Sequence, residues 1–388
     1  MNNYKIIILV AIIFTCGFAA GIFYTKNDQP QSIKLAKTAS QSAKSPVKKN
    51  APDLSDISSK VLIGYVQDYR DPNAIDYTNL THIIFSFAHP ERDGSLSFNG
   101  NTAMNNLRKM VKNAHNQDTK AILAVGGWFH IKGGESYEYF KVAMADPTSR
   151  DKLVNELAGI AERENLDGID IDFEHPRSKK DAEHLSAFIH NLSKRLHANE
   201  KELSVAVHAK IHSVTGTETG FVLYEPSMFQ RVDYVNIMAY DGQWDGGYNA
   251  SNLSPFPFTE NIVNYWATLF DSLNLSKNKL VLGVPFYAQP EDPAIKQVSY
   301  EAIIKRNPEY ASRDNINLNG TTYYYNGEST MQKKTNLALN NGFGGMMIWE
   351  VGLDASGPNS LTGAIAEVLM NTETVPIKYY SVKNSFKE

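Results

Sequence analysis

Residues 167–174 are Asp-Gly-Ile-Asp-Ile-Asp-Phe-Glu, and they place three carboxylates, Asp170, Asp172 and Glu174, at alternate positions. In a β-strand, residues two apart share a face. The stretch therefore predicts a strand with its acids on one face and the apolar residues between them on the other. A half-exposed strand is the simplest interpretation of such alternation. Crowded carboxylates raise one another's pKa and destabilise a fold, so their grouping favours a chemical role.

Segments with strand and helix character alternate along most of the chain. Strand-like segments occur at residues 61–65, 82–87, 120–126, 169–174, 203–209, 234–240, 279–284 and 344–349. Helical patterns occur at residues 104–116, 150–164, 180–197, 261–273, 331–340 and 361–370. This alternation predicts an α/β fold, and eight repeats predict a closed (β/α)8 TIM barrel. Active sites of such barrels lie at the carboxyl ends of the strands, so the three acids are expected at the end of strand 4.

One connection is longer than an ordinary barrel loop. Between residues 285 and 330 the sequence predicts a helix near 300–306 and a strand at 321–325, and we therefore expect a short insertion after strand 7.

The composition excludes several classes of function. Hydrophobic residues make up 42% of the chain, charged residues 21%, and the net charge of −4 offers no basic stripe for nucleic acid. Cys16 is the only cysteine, so the body of the protein has no internal disulfide and no cysteine-based zinc site. His208 and His212 lack a His-Glu-x-x-His context, and no phosphate-binding glycine motif occurs. We expect no metal, no cofactor and a monomer.

The N-terminal region has the features of an export segment. Lys5 precedes an apolar run, so residues 1–24 are expected to be a signal peptide or an N-terminal membrane anchor. Cys16 as a lipid acceptor is a weaker alternative, because bulky Phe14 fits such a signal poorly. Residues 25–59 form a Ser/Lys-rich stretch with few large apolar side chains, which predicts a flexible linker. The protein is therefore expected to be secreted or anchored to the cell envelope.

The remaining boundaries follow from the barrel pattern. Residues 60–371 are expected to form the catalytic domain, and residues 372–388 a C-terminal tail.

The spacing Asp-x-x-Asp-x-Asp-x-Glu, starting at Asp167, resembles the signature of glycoside hydrolase family 18, the chitinase family. Further matches in the order of that family are Gly64-Tyr65, Phe85-Ser86-Phe87, Met238-Ala239-Tyr240-Asp241, Gly283-Val284-Pro285-Phe286-Tyr287 and Gly344-Gly345 to Trp349. The chain departs from the family on strand 3, where Ala124 stands in place of a serine that supports the carboxylates. This difference puts the local hydrogen bonding in doubt.

The resemblance implies a retaining hydrolase of β-1,4-linked N-acetylglucosamine polymers that uses the 2-acetamido group of its substrate as nucleophile. Many family members carry a larger insertion after strand 7, so the short insertion here implies a shallow cleft and internal cuts. Glu174 would be the acid, and Asp172 would hold the acetamido N–H. Asp170 would share a proton with Asp172, and Tyr240 would donate to the acetamido oxygen. Trp349 would form the floor under the cleaved sugar. The expected substrate-binding residues are Trp349, Tyr65, Phe85, Met238, Asp241, Trp128, Gly127 and Tyr287.

Two alternatives remain open from the sequence. The partner is expected to be chitin or another glycan that contains N-acetylglucosamine, and an endo-β-N-acetylglucosaminidase acting on N-glycans or peptidoglycan would share the same acid motif. A carbohydrate-binding protein with little turnover is the second alternative, because of Ala124 and the short insertion.

Overall fold

The computed structural model describes residues 60–372. The predicted export or anchor segment (1–24), with Cys16, lies outside the described residues, and so do the linker (25–59) and nearly all of the predicted tail (373–388).

Eight parallel strands form a closed barrel. They are β1 (Val61–Gln67), β2 (His82–Pro90), β3 (Lys120–Gly126), β4 (Gly168–Asp172), β5 (Glu202–His208), β6 (Tyr234–Met238), β7 (Leu280–Pro285) and β8 (Gly345–Trp349). Each strand pairs in parallel with the next, and β8 pairs with β1 to close the ring. The predicted (β/α)8 TIM barrel is confirmed.

Helices cover the outside of the barrel. They are α1 (Gly100–His115), α2 (Ser136–Ala145), α3 (Pro147–Arg163), α4 (Lys179–His197), α5 (Phe256–Ser272), α6 (Tyr300–Arg306), α7 (Glu328–Asn340) and α8 (Leu361–Thr372). All predicted helices are present. Helix α2 was not predicted, although Tyr137, Phe140 and Met144 form a buried apolar side on it. Two connections contain a short 3₁₀ segment in place of an α-helix in the described part of the chain. They are the connection between β1 and β2, with Pro72–Ala74, and the connection between β5 and β6, with Pro226–Met228.

The alternation in β4 separates two environments. Ile169 and Ile171 belong to the large apolar core between the barrel and its helices. Asp170 and Asp172 are also buried, but they face the barrel interior. The interior is otherwise filled by a smaller apolar cluster that consists of Val61, Ile63, Tyr65, Ile84, Ile122, Ala124, Tyr240, Val281 and Met347. The two acids of the strand thus sit inside the barrel, as the period of two requires.

The predicted strand at 169–174 is two residues too long. β4 ends at Asp172, and Glu174 has a φ of +68°, in the left-handed region. The backbone therefore turns before Glu174, so the third acid leaves the line of the strand and sits at the carboxyl rim of the barrel.

The insertion after β7 is short, as predicted. It contains a four-stranded antiparallel sheet, formed by Tyr287–Pro290, Val298–Ser299, Asn315–Leu318 and Thr321–Tyr324, together with helix α6. Residues 292–296 form a turn in which the Ala294 N–H donates to Asp292 Oδ1 at 2.8 Å. None of the helices between residues 60 and 372 combines the length and the apolar character needed to span a membrane.

Candidate active site

Asp170 is fully buried in the barrel and is held by three side chains. Its Oδ2 accepts a hydrogen bond from Tyr65 Oη at 2.7 Å. Its Oδ1 accepts from Ser204 Oγ at 2.6 Å and from Asn236 Nδ2 at 3.2 Å. Burial raises the pKa of Asp170 to about 6, although these hydrogen bonds act in the opposite direction. Tyr65, one of the expected substrate-binding residues, thus supports the carboxylate of Asp170.

The substitution at Ala124 is compensated from the other side of β4. Asp170 on β4 is paired with Ala124 on one neighbouring strand, β3, and with Ser204 on the other neighbouring strand, β5. A hydroxyl group missing on one flanking strand is therefore supplied by the other. Ser204 and Asn236 were not predicted as site residues, because their contacts with Asp170 depend on the register of three strands.

Asp172 occupies the centre of the site and is buried. Its Oδ1 has no hydrogen-bond partner among residues 60–372. Burial, followed by the charges of Glu174 and Asp170, raises the pKa of Asp172 well above its usual range. The backbone here is crowded, since a Cβ on Gly126 would lie 2.0 Å from the carbonyl oxygen of Asp172. Asp172 thus has a buried carboxyl oxygen without a partner in the described residues, on a closely packed backbone.

Glu174 lies at the rim and is half-buried. Burial, and then the negative charge of Asp241, raises the pKa of Glu174 to about 7, while the guanidinium of Arg177 opposes the shift. A carboxyl group with this pKa retains a proton near neutral pH, which is the property that a general acid needs.

Tyr240 and Asp241 follow β6 and form the wall beside Glu174. The Tyr240 hydroxyl makes only a weak contact, 3.9 Å from Met347 Sδ. Asp241 has a φ of +63°, and its Oδ1 accepts from Tyr287 Oη at 2.5 Å and from Gln243 Nε2 at 3.0 Å. Asp241 and Tyr287 therefore form a fixed pair, and Tyr240 keeps a hydroxyl with no strong bond among the described residues.

Trp349 at the end of β8 is half-buried and lies between two rings. Its ring centroid is 5.6 Å from that of Tyr65 and 5.9 Å from that of Phe87, which stacks on it. Gly127 is needed beside this stack, because a Cβ there would lie 2.8 Å from the Phe87 ring.

Phe85, one of the expected substrate-binding residues, does not belong to the cluster inside the barrel. Phe85 packs in the core between barrel and helices and is 1% exposed. The register of β2 shifts between Phe85 and Ala88, and Phe87, two residues later, is the ring that packs against the interior cluster. Phe85 lies before this irregularity and alternates regularly with Ile84, which belongs to the interior cluster.

Two expected substrate-binding residues differ in exposure. Met238 packs against the interior cluster and is half-buried. Trp128 is 44% exposed and lies near Arg177, whose guanidinium is 5.9 Å from the indole centroid and 4.0 Å from that of Tyr137. Arg177 also pairs with Glu135 at 2.5 Å. Arg177 thus links the loop that carries Glu174 to the loop that carries Trp128.

The part of the chain that the structure describes contains no group of three or more His, Cys, Asp or Glu side chains arranged to hold a metal ion.

The sequence model described as "Glycosyl hydrolases family 18" matches residues 61–354, which is most of the chain. The chain belongs to this family. Among curated family 18 relatives, Endochitinase 1 of Metarhizium robertsii is 23% identical, with 80% of this chain and 84% of that protein covered. Two other relatives are matched over only 56% and 10% of their own length. The chain therefore corresponds to only a part of each of those proteins.

Solved structures of family 18 members have the same fold. The chitinase ChiB from the chitin utilization locus of Flavobacterium johnsoniae is 26% identical, with a TM-score of 0.68 and with 81% of this chain and 95% of that chain covered. The chitinase-like agglutinin RobpsCRA of Robinia pseudoacacia is 18% identical, with a TM-score of 0.66, 79% of this chain and 99% of that chain covered. At 18% identity, the likeness shows the fold alone.

Proposed function

We propose that this protein is a retaining glycoside hydrolase that cleaves β-1,4-linked N-acetylglucosamine polymers, such as chitin and its oligosaccharides, with the help of the substrate's acetamido group. The observation that carries the proposal is Asp172 Oδ1, a buried acceptor with no partner in residues 60–372, placed between Asp170 and Glu174. A buried acceptor left unpaired is costly, and a substrate N–H would satisfy it.

The first half of the reaction breaks the glycosidic bond. Glu174 donates its proton to the leaving oxygen while the acetamido oxygen attacks the anomeric carbon, which forms a positively charged oxazolinium ring and frees the leaving sugar. Asp172 accepts the acetamido N–H and offsets the positive charge. Tyr240 donates its weakly engaged hydroxyl to the acetamido oxygen and orients it for attack.

The second half restores the enzyme. Glu174, now a carboxylate, removes a proton from water, and the water oxygen attacks the anomeric carbon from the side that the leaving sugar vacated. The oxazolinium opens, and Glu174 is protonated again. Asp170, held by Tyr65 and Ser204, shares a proton with Asp172.

Two further features belong to the proposal. Internal cuts are supported by the small insertion, whose strands have only two to four residues each and leave a low wall. Secretion or attachment to the cell envelope is supported by the apolar run after Lys5. Mass spectrometry of the N-terminus of protein from its own host distinguishes a cleaved signal from a retained anchor.

The decisive experiment measures the release of reducing ends from chitin oligomers, high-mannose N-glycans and peptidoglycan fragments. We expect cleavage of the chitin oligomers, with Glu174→Gln about two to four orders of magnitude slower in kcat but still able to bind the oligomer. Glu138→Gln on α2, with a side chain 51% exposed, is the matched control and should cleave at the normal rate.

Each other result identifies a different function. Cleavage of N-glycans or peptidoglycan alone indicates an endo-β-N-acetylglucosaminidase. Tight binding of oligomers without turnover in the unaltered protein indicates a carbohydrate-binding protein.

A further inference from the structure

Lys334 on helix α7 is fully buried, and its ammonium group has no part in the reaction described above. Its Nζ donates to the carbonyl oxygen of Ser254 at 2.6 Å, to the hydroxyl of Ser254 at 2.6 Å and to Asn326 Oδ1 at 2.7 Å. Each N–H of the ammonium group therefore has one acceptor. A buried charge destabilises a fold unless its hydrogen bonds are complete, so these bonds hold Lys334 and its partners in one arrangement.

Lys334 joins three segments that are far apart in the sequence. Asn326 lies at the end of the insertion after β7, between the strand Thr321–Tyr324 and α7. Ser254 lies 80 residues before Lys334, in the loop between β6 and α5. All three residues are buried. The ammonium group therefore ties the insertion and α7 to the loop that follows β6.

The hydroxyl of Ser254 extends this contact to the active site. An ammonium group can only donate, so the hydroxyl accepts from Lys334 and keeps its own hydrogen for another acceptor. That acceptor is the carbonyl oxygen of Ala239, at 2.6 Å. A hydroxyl that accepts from a cation is polarised and donates more strongly. Because Ala239 directly precedes Tyr240, two hydrogen bonds connect Lys334 to the backbone next to Tyr240.

The backbone that leads to Tyr240 has already left the sheet. The pairing of β6 with β7 ends at Ile237, and its pairing with β5 ends at Met238. The N–H of Ala239 turns back to the carbonyl oxygen of Ile237 at 2.9 Å. The carbonyl oxygen of Ala239 thus lies beyond both strand pairings, and Ser254 supplies its hydrogen bond.

The hydroxyl of Tyr240 depends on this backbone for its position. Its ring packs in the interior cluster of the barrel, and its hydroxyl makes only the contact of 3.9 Å with Met347 Sδ in the described residues. A hydroxyl without a strong bond of its own is placed by the ring and the backbone that carry it. Movement of the backbone at Ala239 would therefore move the Tyr240 hydroxyl away from the acetamido oxygen.

We propose that Lys334 and Ser254 are positioning residues for Tyr240, because they hold the carbonyl oxygen of Ala239 and so fix the backbone from which the Tyr240 hydroxyl meets the acetamido oxygen. This inference rests on the proposed function. Both residues act through Tyr240 and not on the substrate. The proposal also gives the insertion after β7 a part in the reaction, since Asn326 is one of the acceptors that hold Lys334.

The test is a double-mutant cycle with the hexamer of N-acetylglucosamine as substrate. Ser254→Ala removes only the hydroxyl that joins Lys334 to Ala239, and we expect it to lower kcat about fivefold to twentyfold with KM within about twofold of normal, since orientation of the nucleophile affects the chemical step. Tyr240→Phe protein has no hydroxyl left to position. In that protein, the same change should lower kcat by less than about twofold. Lys334→Met should give the same pattern.

Thr335→Val is the matched control for loss of a buried hydrogen bond on the same helix. Thr335 follows Lys334, is fully buried, and donates its hydroxyl hydrogen to the carbonyl oxygen of Met331 at 2.8 Å, a bond within α7 that does not lead to Ala239. This variant should keep kcat within about twofold of normal. Urea denaturation verifies that each variant is folded. If Lys334→Met does not fold, Ser254→Ala decides the test, because it leaves Lys334 two of its acceptors.

The outcomes separate the inference from the proposed function. Equal losses of kcat with and without the Tyr240 hydroxyl would mean that Lys334 and Ser254 support the fold in general. A normal kcat in Ser254→Ala, or a change in KM alone, would mean that they do not orient Tyr240, and unfolding of Ser254→Ala would mean that the hydroxyl serves the fold. Each of these results overturns the inference and leaves the proposed function intact.

Two results would reach further. A normal kcat in Tyr240→Phe would remove the tyrosine hydroxyl from the mechanism, and this inference with it. Failure of the unaltered protein to cleave any N-acetylglucosamine oligomer would overturn the proposed function itself.

Discussion

Ser204 on β5 donates its hydroxyl hydrogen to Asp170 Oδ1 at 2.6 Å, on the flank of β4 opposite Ala124. Because a hydrogen bond to a charged group contributes about 1.5–3 kcal/mol, we expect Ser204→Ala to lower kcat about tenfold to a hundredfold with little change in KM. The acidic limb of the pH profile should move to higher pH, since the pKa of Asp170 loses an interaction that holds it down.

A second-site change tests the compensation between the two strands. Adding Ala124→Ser to the Ser204→Ala protein returns a hydroxyl to the other neighbour of Asp170, and it should recover part of kcat and move the acidic limb back. Ser204→Thr, which keeps the hydroxyl, serves as the conservative control. If Ser204→Ala leaves both kcat and the pH profile unchanged, Ser204 does not act through Asp170.

The alkaline limb of the pH profile should report Glu174. The acid must be protonated, so activity is present below its pKa of about 7 and is lost as the pH rises through that value. Arg177 holds this pKa down, and we expect Arg177→Gln to move the alkaline limb to higher pH. Arg177→Lys keeps the charge and should leave the limb close to its normal position. An unmoved limb in Arg177→Gln would contradict the electrostatic link.

Much of the fold follows from the sequence because the relevant patterns are local. The period of two in residues 169–173 separates the acids from the apolar core, and the alternation of strands and helices defines the barrel. The prediction fails where the backbone departs from regular geometry, as at Glu174, which lies beyond the end of β4 with a positive φ, and at Phe87, which packs against the interior cluster where the register of β2 shifts.

Contacts within the site are harder to foresee from one sequence. Ser204 and Asn236 meet Asp170 only through the register of neighbouring strands. Lys334 meets Ser254 only when helix α7 packs beside the loop before α5. Such contacts can be recognised only in the folded barrel, whereas the motif at residues 167–174 can be recognised in the sequence alone.

Glu174 should also reduce the stability of the fold at neutral and alkaline pH. Its pKa is higher in the folded protein than in the unfolded chain, so the folded state binds the proton more tightly and loses stability as the pH rises from about 4.5 to 7. We expect Glu174→Gln to raise the free energy of unfolding at pH 8 by roughly 1–2 kcal/mol, an amount reduced for the partial exposure of the side chain. At pH 4 the two proteins should be equal.

Urea denaturation at both pH values checks this expectation, with Glu138→Gln as the exposed control. A stabilisation of the same size at pH 4 and pH 8 would show that the gain comes from packing rather than from removal of a charge.

Participation of the acetamido group can be tested through the stereochemistry of the product. Asp172 has a buried oxygen ready for the acetamido N–H, and attack first by the acetamido oxygen and then by water inverts the anomeric carbon twice. Proton NMR of fresh product should therefore show the β anomer before mutarotation, and a cyclic thiazoline analogue of the oxazoline should inhibit competitively. Fully deacetylated oligomers and cellulose oligomers lack the nucleophile and should not be cleaved.

Asp172→Asn gives an independent check of the same step. The amide cannot offset the positive charge of the oxazolinium, so kcat should fall and both limbs of the pH profile should change, because Asp172 and Glu174 interact. Product that first appears as the α anomer, or rapid hydrolysis of cellulose oligomers, would exclude the acetamido group as nucleophile. The roles of Asp172 and Tyr240 would then have to be reassigned, since both are defined by the group that they hold.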